Sequence, residues 1–136
     1  MNAPSVDIAA MLVADTDLGL TIGTNLFVGR EPDGKNTADD TVTVFDTGAT
    51  GPQLTLDGVD SANYEYTAVQ IRVRNTDYRT GWALAQDIMT SLHGRAQETV
   101  NDTLYSVIYT SSGPALLDWD QNHRARFIVN FNIQRR

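Results

Sequence analysis

The sequence predicts a single α+β domain spanning residues 1–136, built from a mixed or antiparallel β-sheet with two main helices packed on one face. Three observations carry this prediction. In the last segment, Ala125, Phe127, Val129, Phe131 and Ile133 alternate with Arg124, Arg126, Asn130, Asn132 and Gln134, with only Ile128 breaking the polar row. Val69, Ile71 and Val73 alternate with Gln70, Arg72 and Arg74 in the same way. Period-two alternation is the mark of a strand with one buried face. Between these strands, Tyr78, Trp82, Leu84, Ala85, Ile88, Met89 and Leu92 fall on one broad stripe at about 100° per residue, the period of an amphipathic helix.

Each element has its own local warrant. Pro4-Ser5 opens a first helix, with Ser5 a candidate N-cap, Asp7 near the positive end of the dipole, and Val6, Ile8, Met11 and Leu12 as its apolar surface. It ends between Asp15 and Gly19. Asn25 to Arg30 and Thr41 to Thr47 are predicted strands, and the connector Glu31 to Asp40, with its Pro-Asp-Gly turn and acidic residues, predicts a long-tipped hairpin between them. Asp46 to Ala62 is rich in Gly, Thr, Asp and Pro, and predicts a mobile loop with at most one short strand. Ala68 to Asn75 is the half-buried strand, and Tyr78 to His93 the main helix, capped by Thr76 or Asp77 and ended at Gly94. Leu104 to Thr110 is a further strand, followed by a Ser111-Ser112-Gly113-Pro114 turn and a loop carrying Leu117 to Asp120. The expected order is helix, hairpin, strand, helix, two strands, with Val69, Ile71, Val73, Trp82, Ile88, Phe127, Val129 and Phe131 as the core.

Composition narrows the function. The 136 residues fit one core, and the absence of cysteine excludes disulfides and thiolate metal sites. No apolar run approaches the roughly 20 residues of a membrane span, and Met1 to Ala14 lacks the pattern of a signal peptide, so a cytosolic origin is expected. A net charge of −7 argues against a protein that grips nucleic acid, which needs Lys and Arg on phosphates.

No motif in the sequence supplies catalysis. Gly29 to Asn36 approaches a phosphate-binding loop, but Asn36 replaces the magnesium-holding hydroxyl, Glu31 and Asp33 would face the phosphates, and a strand follows where a helix is needed. Asp118 to Asn122 imitates a calcium loop, yet His123 occupies the glycine position and Val129 that of the bidentate glutamate. His93 at a helix end is expected to interact with the dipole. Neither a nucleophile elbow nor a His-Glu-x-x-His motif occurs, and no cofactor or metal is expected. A hydrolase using Asp118, Asp120 and His123, and a ligand-binding module using Trp119, are the alternatives from other functional classes. The arginines carry more information: Arg72 and Arg74 share one polar strand face, Arg124 and Arg126 another. Neighbouring strands would gather them on a single face, either solvated or, together with Trp119, meeting the acids of another subunit.

The run Tyr64 to Arg74, followed by Tyr78 to Gly94, resembles the tail-terminator and minor capsid (tail completion, neck) proteins of long-tailed bacteriophages, which couple an arginine-bearing strand to a Tyr-x-x-x-x-x-Leu-Ala-x-x-Ile helix. After Gly113-Pro114, Leu117-Asp118 through Arg135 is similar to their closing strand, which often ends in an Asn-Phe-x-x-x-Arg pattern. The resemblance implies a virion protein, assembled in the host cytoplasm, that forms a homo-oligomeric ring, usually a hexamer. It implies tail-tube protein on one side, the head-completion connector on the other, DNA passing through without sequence-specific binding, and no catalytic residue. A head-closure or adaptor neck protein is the nearest alternative.

Overall fold

The computed structural model describes residues 1–51 and 64–136. In chain order these form α1 (Pro4–Ala14), a 3-10 turn (Thr16–Leu18), β1 (Leu26–Val28), β2 (Thr41–Ala49), β3 (Glu65–Asn75), α2 (Tyr78–Leu92), β4 (Ala96–Val100), β5 (Thr103–Trp119) and β6 (Ala125–Arg135). The strands make one mixed sheet in the order β1-β2-β3-β6-β5-β4, curled into a half-barrel. The closing strand lies at its centre, with Val69 opposite Phe131, Ile71 opposite Val129 and Val73 opposite Phe127. Paired residues project to the same side of a sheet, so these six side chains form one apolar floor, and all are fully buried. Ile8, Met11 and Leu12 of α1 and Ala85, Ile88 and Leu92 of α2 join them in a single core.

Trp82 is half-buried and packs against this core, with its ring edge-on to Phe127 at 5.9 Å. Gly81 marks the closest approach of α2 to the sheet, since a Cβ there would lie 2.7 Å from Phe127 and 2.9 Å from Asn75. Asp77 caps α2 by accepting from the Thr80 amide at 3.0 Å. Thr76 instead donates to Asp40. His93 ends α2, and its Nδ1 accepts from the Thr110 amide at 2.9 Å, a structural tie to β5.

Several further expectations are corrected. Residues 25–47 are not a hairpin: β1 runs parallel to β2, with Leu26 opposite Val42 and Val28 opposite Val44, so residues 29–40 form a crossover that must travel the length of a strand. Ser5 is not the cap of α1. Ala3 holds that position, and the Asp46 carboxylate of β2 accepts from the Ser5 amide at 3.0 Å and hydroxyl at 2.6 Å, satisfying the helix N-terminus from outside. Val6 is exposed. Strand β2 continues through Ala49, into what had the composition of a loop, whereas residues 52–62 of that predicted loop lie outside the described residues. Strand β4 was not expected. The Ser111–Pro114 turn is instead a bulge inside β5: Ser112 faces Asn130 and Ala115 faces Ile128, leaving Gly113 and Pro114 opposite Val129. Gly113 has φ +97° and passes so close to β6 that a Cβ would sit 2.5 Å from the Ile128 carbonyl oxygen.

Candidate functional site

Pairing β3 with β6 sets Arg74 opposite Arg126 and Arg72 opposite Ile128, and Arg124 directly precedes β6. The four arginines predicted from alternation therefore do converge. Left alone they would repel one another. Their counter-charges come from the chain itself, chiefly from the crossover after β1, which lies over this end of the sheet.

Glu31, little exposed, is the shared partner. Its Oε2 is 3.2 Å from Arg72 and 3.6 Å from Arg126, and its Oε1 is 3.5 Å from Arg74. Arg74, 2% exposed, donates to the carbonyls of Pro32 at 2.7 Å, Ala38 at 3.0 Å and Asp39 at 3.0 Å. Arg124, also buried, reaches Asp120 at 2.7 Å, Asp39 at 3.2 Å and Asp33 at 3.3 Å. Arg126 forms a two-pronged pair with Asp118, and the Arg72 guanidinium lies 5.0 Å over the Phe45 ring. These groups line an open cleft of about 730 Å³.

Arg74 and Arg124 are not solvated: both are buried within the subunit and tie down the crossover. Arg72 and Arg126 are partly exposed and already share Glu31. Trp119 also borders this cleft; half-exposed, it stacks on Tyr78 with ring centroids 6.2 Å apart.

The same contacts decide what chemistry the carboxylates can perform. The hydrogen bond from Arg126 holds the Asp118 carboxyl below the usual carboxylate range. At Asp120, burial pushes upward, but hydrogen bonds from the Arg124 amide and guanidinium and the Asn122 amide prevail, and its pKa is also lowered. Two carboxylates held ionised by arginine are poorly suited to donate a proton, and no group of three or more His, Asp or Glu side chains among the described residues is arranged to hold a metal ion.

Sequence reasoning missed a second buried polar cluster at the opposite end of β6. Asp7 accepts from the Tyr105 hydroxyl, from Asn101 at 2.8 Å and from Asn2 at 3.2 Å. Arg135 donates to the Tyr105 hydroxyl at 3.3 Å, the Asn2 carbonyl at 2.8 Å and Glu65 at 3.2 Å. Burial first, and then the Asp7 hydrogen bond, push the Tyr105 pKa well above its usual value. The signal was present: Arg135 continues the parity of Phe131 and Ile133 and so had to point inward.

The fold is shared with known proteins. A family model described as bacteriophage tail terminator protein matches residues 12–136. The chain belongs to the bacteriophage tail terminator family. Membership identifies a structural phage tail protein, a component of the virion. Among solved structures, a chain described as "Virion of native gene transfer agent (GTA) particle" is similar with a TM-score of 0.67 and 15% identity, covering 98% of this chain and 94% of that one. At that identity the likeness establishes a common fold. No curated protein matches the sequence. The tail terminator match spans the crossover, the charge lock and the whole of α2 to β6, so these elements lie within the family's own region.

Proposed function

We propose that this tail terminator acts as a homo-oligomeric, hexameric ring on the last layer of the completed tail tube, ending elongation and offering a platform to the head-completion connector. The family match over residues 12–136 carries this reading. A ring of identical subunits closes by using the same two surfaces on every copy, and then offers a symmetric face to tube and connector alike.

The charge distribution supports DNA passage through the centre without specific binding. Of 10 basic residues, Arg72, Arg74, Arg95, Arg124, Arg126 and Arg135 are all engaged in ion pairs within the subunit. The protein thus spends most of its positive charge internally and meets its surroundings as an acidic body, denying DNA the phosphate contacts that would hold it. Assembly would take place in the host cytoplasm. Native mass spectrometry of the purified chain, alone and with tail-tube protein, tests the ring. A hexamer in either sample is expected, and a chain that remains monomeric on tube ends contradicts the reading.

A further inference from the structure

Helix α1 is apolar on both sides. Ile8, Ala9, Met11 and Leu12 are buried in the core, while Val6, Ala10 and Val13 line the opposite side at helical spacing, with Val6 42% and Val13 37% exposed. A helix apolar all round is normally covered all round. Just beyond this stripe come Asp15 and Asp17, which make no ion pair among the described residues.

A second uncovered patch lies at the other flank of the sheet. Leu116 is paired with Phe127 and Trp119 with Ala125, both buried core residues, so Leu116 and Trp119 emerge on the side that carries the helices. Leu116 is 40%, Trp119 51% and Tyr78 42% exposed. Arg79 follows Tyr78 in the first turn of α2; it is exposed, makes no ion pair among the described residues, and is near enough to Asp77 to add to the Thr80 hydrogen bonds that hold that carboxyl's pKa down. Among the described residues, no strand pairs with the outer edge of β5 beyond Val107. Such edges are usually paired or covered by a helix. Trp, Tyr and Arg are the residues that dominate binding energy at interfaces.

Resting on the ring reading above, we propose that successive subunits join by laying the Val6–Ala10–Val13 stripe of α1 from one copy against the Leu116–Trp119–Tyr78 patch of the next, with Asp15 and Asp17 facing Arg79. The two surfaces complement each other in polarity and charge. They also lie apart on the sheet: α1 packs chiefly over β2 and β1, whereas Leu116 and Trp119 belong to β5 on the other flank, with Tyr78 at the start of α2 stacked on Trp119. Two different surfaces on opposite flanks generate a head-to-tail contact that can close.

Charge reversal tests the pairing. Arg79→Glu, and separately Asp15→Lys with Asp17→Lys, should each raise the concentration needed for half-assembly by about tenfold while leaving the far-ultraviolet circular dichroism intact, and the triple variant should recover assembly. The chain has no cysteine, so Val13→Cys combined with Leu116→Cys should yield a ladder of disulfide-linked subunits on mild oxidation. Wild-type rings that form while the charge variants assemble unchanged and the cysteine pair fails to link would overturn this contact and leave the ring standing. Weakening by the single reversals without recovery in the triple variant would likewise overturn it. A wild-type chain that forms no ring on tube ends would remove both.

Discussion

Arg74 and Pro32 stand 42 residues apart in sequence, yet the Arg74 guanidinium donates to the Pro32 carbonyl at 2.7 Å. That bond, with those to Ala38 and Asp39, fastens an otherwise irregular crossover to the centre of the sheet. An arginine that satisfies three backbone carbonyls fixes the path of a segment that has no ladder of its own.

Replacing this side chain is therefore expected to act on folding before it acts on assembly. Arg74→Met leaves the three carbonyls without their buried donor and Glu31 with Arg72 and Arg126 alone, and an unsatisfied buried polar group costs about 1 to 3 kcal/mol. The melting temperature should fall by roughly 10 °C, and a protease should cut within residues 31–40. Unchanged melting and proteolysis would show that the crossover is held elsewhere.

Gly81 makes the opposite demand on size. Alanine there gains about 1 kcal/mol of helix propensity, but its Cβ would press on Phe127 and Asn75 at distances real contacts do not reach, and overpacking costs about 1 to 3 kcal/mol. Because Asn75 meets it with its own Cβ, close to the backbone, little relief is available, and Gly81→Ala should be destabilising by denaturant titration. Greater stability in that variant would mean that α2 rides further from the sheet.

Acid should loosen the charge lock. A carboxylate whose folded pKa lies below its unfolded value near 4 stabilises the fold above that value, and this contribution is lost as pH falls through the folded pKa. Asp118 and Asp120 both have lowered values, so urea midpoints should drop as pH falls below about 4. Asp118→Asn should be less stable than the parent at pH 7 and lose less on acidification. Parallel curves for the two proteins would remove Asp118 from the lock.

The Tyr105 cluster gives the converse at high pH. A folded pKa raised above the unfolded value near 10 contributes stability that is intact below pH 10 and is lost as pH rises through the folded one. Tyr105→Phe deprives buried Asp7 of one donor at a cost of about 1 to 3 kcal/mol, and should abolish that alkaline loss. A Phe variant with the parent's alkaline profile would assign the loss to other groups.

The strand at Val69 to Val73, helix α2 and the closing strand were legible because their periodicity is a direct record of which side chains are buried. The same parity put Arg72 with Arg74 and Arg124 with Arg126 on polar strand faces, while their convergence also required β3 and β6 to be neighbours. What the sequence hid depends on pairing at a distance. The parallel run of β1 against β2 leaves no local mark, and Pro32-Asp33-Gly34 has the chemistry of a hairpin tip whether or not a hairpin forms. Glu31 reads as one more loop acid until the strands it bridges are known to be neighbours. Gly113-Pro114 has the composition of a turn, and only the proximity of the Ile128 carbonyl shows why glycine is needed inside a continuing strand.

Electron microscopy of particles assembled without this protein tests the central claim most directly. A ring that ends tail growth and joins tail to head predicts tails that are overlong or ragged and separate from filled heads. Tails of normal length firmly attached to heads would contradict it.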